Sequence, residues 1–236
     1  MDMNRMDSLT IAIPKGRPYA KTVELLRQAG VAGPELGEQE SRSLLIACPE
    51  QGTRFLVARD SDVPTYVEYG AADLGIVGKN VLMEGEPKVY ELLDLGYSVC
   101  RFVLAAPAGS TPASLLDGSS ARRVATKYPR TTEEYFRNRG IQVETISLHG
   151  SIEVAPKVGL ADMIVDISET GRTLAENNLV VLDYLGTSSA RLIANRASYR
   201  LKSEWIGTLV RRLRKLVSAA GETAPGRVEK ERATLC

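Results

Sequence analysis

GAADLGIVG at residues 70–78 and GLADMIVDI at residues 159–167 are one word written twice. In each, a glycine stands three residues before an aspartate, and the aspartate opens an apolar run with the composition of a buried strand. Further along, LLDLGYSVCRFVLA (92–105) matches VLDYLGTSSARLIA (181–194): an acidic turn, an arginine, then an apolar strand. Two blocks recurring in the same order point to two related structural units in one chain.

Short apolar β-rich runs alternate with longer stretches of helical spacing, the pattern of an α/β protein. LTIAIP reads as a first strand. KGRPYAKTVELLRQAG reads as a loop and a helix that buries Val23, Leu25, Leu26 and Ala29 and stops at Gly30. SLLIACP and TRFLVAR read as two strands joined by a turn at Glu50–Gly52, and SDVPTYVEYG as a short helix with proline in its first turn. The long strands SVCRFVLAAP and SARLIAN are the natural crossings between the two units. The first lobe is therefore expected to be discontinuous, residues 1–95 plus 183–216, with the second lobe at 96–182 and a ligand cleft where they meet. The final stretch, 217–236, loses its periodicity and is expected to be a disordered tail.

Composition narrows the function. With 44% apolar residues in 236, the chain can bury a sizeable core, and 30 lysines and arginines against 29 acids give no broad positive field for nucleic acid or a membrane surface. No window approaches the roughly 18 apolar residues of a membrane span, so a cytoplasmic location is expected. Cys48, Cys100, Cys236 and a single histidine supply neither a disulfide framework nor a zinc site, and the thiols are read as reduced and structural.

The segment DISETGRTL (166–174) follows the second copy of the repeated word, where a strand gives way to a helix. Amide hydrogens of a glycine-containing loop, a helix N-terminus and the hydroxyls of Thr170 and Thr173 together form a trap for a phosphate. Gly171 lets the backbone approach closely. The spacing is not that of a Walker loop. Asp162 and Asp166, four residues apart beside this trap, are candidate acceptors for sugar hydroxyls, and the expected ligand is a ribose 5-phosphate.

IAIPKGR, SRSLLIA, ARDSDVPTYVEYGAADLGIVGKN, VATKYPRTTEEYF, LHGSIEVAPKVGLADMIVDISETGRTL and SARLIANR together resemble the short-form ATP phosphoribosyltransferase catalytic subunit, across residues 9 to about 202. The resemblance implies a two-lobed fold like that of type II periplasmic binding proteins, with a mixed sheet in each lobe and the active site in the cleft between them. It implies transfer of phosphoribosyl from phosphoribosyl pyrophosphate to N1 of ATP, with inversion and release of pyrophosphate, as the first step of histidine biosynthesis. It also implies magnesium carried mainly on substrate phosphates, a catalytic homodimer, and a histidyl-tRNA-synthetase-like regulatory subunit in a hetero-octamer.

That chemistry depends on cations more than on a general base, because two polyanions must be positioned and a diphosphate expelled. Arg59 and Arg42, by placement at strand ends and by resemblance, are expected to act catalytically on pyrophosphate and ATP phosphates, followed by Lys15 and Arg17. Glu169, Thr170, Gly171, Arg172 and Thr173 make up the expected phosphate loop with Asp162 and Asp166. Lys127, Tyr128 and Arg130 follow another strand, where an aromatic ring would cover adenine or ribose and a cation would meet phosphate; Ser151, with His149 and Gly150, precedes a short helix that would face the cleft, and Lys127, Tyr128 and Ser151 are expected to bind ATP or pyrophosphate. Asn80 stands where the family commonly has an acid, and Asp73 reads equally well as a turn residue. A two-lobed binding protein without catalysis is the alternative reading. A single-lobe phosphoribosyltransferase is disfavoured by the internal repeat.

Overall fold

The computed structural model describes residues 8–37, 43–111 and 122–222. Among the described residues eleven strands run in chain order: β1 (Leu9–Pro14), β2 (Leu45–Cys48), β3 (Thr53–Ala58), β4 (Leu74–Gly78), β5 (Tyr90–Asp94), β6 (Cys100–Pro107), β7 (Arg122–Thr126), β8 (Val143–Ser147), β9 (Met163–Ser168), β10 (Leu179–Ser188) and β11 (Ala190–Ala194). The helices are α1 (Tyr19–Gln28), α2 (Val63–Glu68), α3 (Lys79–Gly85), α4 (Pro129–Arg137), α5 (Arg172–Glu176), α6 (Arg196–Leu201) and α7 (Ser203–Glu222), with short 3-10 turns at Pro49–Gln51 and Ile152–Val154.

The chain divides into two compact units. Among the described residues, the first takes those from 8 to 78, Pro87–Tyr97 and those from 190 to 222; the second takes Lys79–Glu86 and those from 98 to 189. β10 continues along β6 as far as Ser188, opposite Cys100, and the second unit ends at Ser189.

Unit 1 is built on a mixed sheet ordered β2-β3-β1-β4-β11-β5, in which β1, β3 and β4 are parallel. Leu9, Ile11 and Ile13 of β1 meet Val23 and Leu26 of α1 and Ile206, Leu209 and Leu213 of α7 in one fully apolar layer. α2 covers β4, and the approach is close. A side chain at Gly75 would come within 2.7 Å of Val67 and 2.8 Å of Val63, so the glycine inside the repeated word is a packing requirement. α7 runs on to Glu222, six residues into the stretch expected to be a disordered tail; Leu216 and Val217 are half-buried against the core, and they extend the helix. Residues 223–236 lie outside the described residues.

Unit 2 has its own mixed sheet, β10-β6-β9-β7-β8. One face packs Phe102, Val124, Met163 and Val165 against Tyr135 and Phe136 of α4. The other packs Val103, Ala125 and Ile164 against Ile152, Leu174 and Leu179.

The repeated word now has a physical meaning. Asp73 exchanges two bonds with Thr10 at the start of the adjacent strand, from its own N–H to the Thr10 carbonyl and from Thr10 N–H to its carboxylate, both 2.8 Å. Asp162 makes the same pair with Arg123, again at 2.8 Å. The glycines three residues earlier, Gly70 and Gly159, turn with φ of 72° and 71°. The aspartate is therefore a pin between parallel strands, used once in each unit. In unit 1 its carboxylate also holds Lys202 and the Ser198 hydroxyl at 2.8 and 2.7 Å.

This geometry corrects the role expected for Asp162. Four residues of strand separate Asp162 from Asp166, about 13 Å along β9, so the two carboxylates cannot grip one diol. Asp162→Ala is expected to destabilise the fold by about 1 to 2 kcal/mol, from the unmet Arg123 N–H, while leaving the KM for any sugar-phosphate substrate within about twofold. Thermal melts and initial rates on one preparation check both halves.

Candidate active site

In unit 2, β7 and β9 run parallel, with Thr126 paired to Val165. Their carboxyl ends therefore present Lys127 beside Asp166, as at the ligand-binding edge of an open α/β sheet. Asp166 lies on the face of β9 shared with Ile164. Burial pushes its carboxyl up to about 6; the bond it accepts from Ile167 N–H and the Lys127 charge act downward, and the Glu153 charge acts upward. Glu153 is not among the residues expected from the sequence. The 3-10 turn at Ile152–Val154, anchored by the buried Ile152, carries it to this edge. The preceding Ser151 is exposed and held at φ 52°, and His149 is exposed.

β9 ends in the turn that leads to α5. Gly171 sits at the N-cap with φ 76°, its N–H donating to the Ser168 hydroxyl at 2.9 Å, while its carbonyl accepts from Ala175 N–H at 3.1 Å. Among the described residues, its chain neighbours aside, nothing lies within 4 Å of where a Cβ at Gly171 would stand. Glu169, Thr170 and Thr173 are exposed around this turn. The Arg172 side chain, 83% exposed, points away to Glu176 at 2.8 Å, so Arg172 offers the turn its backbone N–H and not its guanidinium.

Tyr128 departs from its expected role as a ring over adenine or ribose. It is buried, edge-on to Phe102 with centroids 5.0 Å apart, and its hydroxyl accepts from the Asn80 amide at 3.1 Å. The Asn80 oxygen accepts in turn from Ser188 Oγ at 2.9 Å, so the amide is satisfied at both ends and no carboxylate is needed there. Arg130 is likewise occupied, with Glu86 and the Met83 carbonyl. The start of α4 is closed by Glu84, which accepts from Arg130 N–H, Thr131 N–H and the Thr131 hydroxyl at 2.9, 3.0 and 2.9 Å.

In unit 1 the parallel strands β1, β3 and β4 end together. Lys15 and Arg17 follow β1, and Arg59 follows β3; all three are exposed and, among the described residues, none makes an ion pair. Asp60 turns inward and accepts from Gly78 N–H at 3.1 Å. Arg42 lies outside the described residues. No group of three or more His, Cys, Asp or Glu side chains among the described residues is arranged to hold a metal ion, and no described helix is long and apolar enough to cross a membrane.

Two α/β units, each built on a mixed sheet of its own, define a class that includes periplasmic solute-binding proteins. The aliphatic sulphonate binding protein SsuA of Escherichia coli is similar in fold, with a TM-score of 0.58 over 92% of this chain and 74% of its own, at 14% identity. The stronger likenesses are more particular. The sequence pattern of HisG, ATP phosphoribosyltransferase, matches residues 59–215. An ATP phosphoribosyltransferase of Symbiobacterium thermophilum is 76% identical over 90% of this chain and 96% of its own length. The solved ATP phosphoribosyl transferase (HisG:HisZ) complex of Thermotoga maritima gives a TM-score of 0.75 at 36% identity, over 89% of this chain and 99% of that one. This chain belongs to the ATP phosphoribosyltransferase family.

Proposed function

We propose that this chain transfers the phosphoribosyl group of phosphoribosyl pyrophosphate to N1 of the ATP adenine, opening histidine biosynthesis. The observation that carries the reading is the β9 edge of unit 2, where a glycine-capped turn of backbone amides adjoins a half-buried carboxyl, in a chain 76% identical to an ATP phosphoribosyltransferase. The amides and hydroxyls of residues 168–173 take the 5-phosphate. Asp166, with Glu153 beside it, accepts hydrogen bonds from the ribose hydroxyls. Lys15, Arg17, Arg42 and Arg59 bind the diphosphate and the ATP phosphates, and Lys127 serves the sugar-phosphate end.

The adenine N1 lone pair attacks the anomeric carbon as its bond to the pyrophosphate oxygen breaks, with inversion. Both electrons of that bond leave on the diphosphate, so the protein's work is alignment and charge stabilisation. Magnesium, held mainly by the substrates' own phosphates, neutralises part of the diphosphate charge when bound. Likeness to the HisG:HisZ complex of Thermotoga maritima supports a separate HisZ-type regulatory subunit as partner. The assembly proposed is a hetero-octamer, with this chain a homodimer when alone, in a cytoplasmic setting. Incubation with ATP, phosphoribosyl pyrophosphate and magnesium, with and without that subunit, tests the reading. A new ultraviolet-absorbing adduct and equimolar pyrophosphate are expected; tight binding of a small ligand without turnover would favour the non-catalytic alternative.

The raised carboxyl of Asp166 adds a pH signature. In the free protein its protonated form contributes stability that is fully present below the unfolded value, about 3.9, and is lost as pH rises through about 6. A diol donates to the ionised form, so substrate affinity follows the opposite sign. The KM for phosphoribosyl pyrophosphate should rise as pH falls through about 6, by roughly tenfold one unit lower. The substrate's own phosphate titrates near the same point, at about 6. Comparison with Asp166→Asn separates the two, because only the enzyme's contribution to the acid limb disappears. An identical acid limb in both proteins would remove Asp166 from the ribose site.

A further inference from the structure

Arg59 is exposed and unpaired among the described residues, yet its backbone is held from both sides. On one side its carbonyl accepts from Asp62 N–H at 2.9 Å and Val63 N–H at 3.2 Å, where α2 begins. On the other, the next side chain, Asp60, leaves the end of β3 and bonds Gly78 N–H at the end of β4. In the sheet order β1 lies between β3 and β4, so the Asp60 carboxylate straps the carboxyl end of β1. There the Lys15 N–H donates to Ala58 at 2.8 Å, and the loop bearing Lys15 and Arg17 starts. Asp60 also bears on the buried Tyr97 hydroxyl, which lies 2.6 Å from Thr22 Oγ; burial, and then the Asp60 charge, push that hydroxyl up and keep it neutral. The carboxylate is therefore engaged with the interior.

We propose that Asp60 is a positioning residue, whose bond to Gly78 fixes the backbone from which Arg59 reaches its anion. The proposal rests on the transfer reaction assigned above. A guanidinium on a long side chain stabilises a leaving group only if its origin is fixed, since small misplacements carry large rate costs. Asparagine, whose amide oxygen can still accept from Gly78 N–H, should therefore substitute where alanine cannot.

The test is a set of four proteins assayed with their HisZ-type subunit: Asp60→Ala, Asp60→Asn, Arg59→Ala and the double variant Asp60→Ala/Arg59→Ala. Asp60→Ala should lower kcat by about tenfold with the KM for both substrates little changed, Asp60→Asn should recover most of that loss, and Asp60→Ala should add nothing to Arg59→Ala. A general weakening of the fold would slow the Arg59→Ala protein further, by the same factor as the wild type. Normal turnover in Asp60→Ala, equal impairment of the asparagine variant, or full additivity in the double variant would each overturn the proposal. An inactive wild type overturns the transferase reading instead, so the two failures are distinct.

Discussion

Arg59→Ala should lower kcat by about a hundred- to a thousandfold while the protein keeps its melting temperature. The magnitude is that of removing one preorganised donor from a developing negative charge. An exposed arginine with no ion pair among the described residues contributes little to folding, so the two effects separate cleanly. Its place at the end of β3, with the carbonyl taken by the first turn of α2, directs the side chain off the carboxyl edge of the sheet, where no structural partner among the described residues competes for it. The discriminating measurement compares kcat with the KM for phosphoribosyl pyrophosphate. Loss in kcat assigns the guanidinium to the departing diphosphate, whose charge grows only as the bond breaks; loss in KM alone would move it to ground-state recognition. Arg59→Lys should recover only part of the rate, because a point charge cannot reproduce a two-pronged contact with phosphate oxygens.

What the sequence reveals of the fold it reveals through repetition. The two GxxD words are legible because the same physical device needs the same residues twice: a glycine with positive φ, then a carboxylate pinning the neighbouring strand. The apolar run of β1 and the proline in α2 are legible for similarly local reasons. The site is only partly so. Asp162 stands just before β9 and Asp166 within it, but spacing alone cannot tell which end of a strand carries the ligand, and only the pairing with β7 shows that Asp162 belongs to the far end. Tyr128 looks like a site aromatic because it follows a strand next to a lysine. Its burial is decided by Phe102 and Asn80, remote in the chain, and no local pattern encodes them. Glu153 is missed for the converse reason: its nearness to Asp166 comes from the fold of a short 3-10 turn, which has no periodicity to read. The end of α7 is misjudged because glycine and polar residues mask Leu216 and Val217, whose contacts with the core carry the helix onward.

Gly171→Val should raise the KM for phosphoribosyl pyrophosphate at least about tenfold, a loss of roughly 1.4 kcal/mol or more, and should leave the KM for ATP close to its original value. The cause is the backbone and not crowding, since no described residue beyond the chain neighbours lies within 4 Å of where the Cβ would stand. At φ 76° the residue is in the left-handed region, which costs an L side chain about 1 to 2 kcal/mol and a β-branched one more. Valine relieves that strain by rotating the peptide out of the turn. The Gly171 N–H then leaves the Ser168 hydroxyl, the first bond of α5 from Ala175 N–H is lost, and the amides no longer converge on one anion. Conformation as the cause implies an order among substitutions that size alone would not produce. Asparagine tolerates the left-handed region and should stay nearest the parent, alanine should fall between, and valine should be worst. If KM instead follows side-chain volume, with asparagine worse than alanine, the turn is acting through bulk near the substrate and not through its amides. If none of the three variants changes the KM for the sugar substrate, the phosphate is held elsewhere.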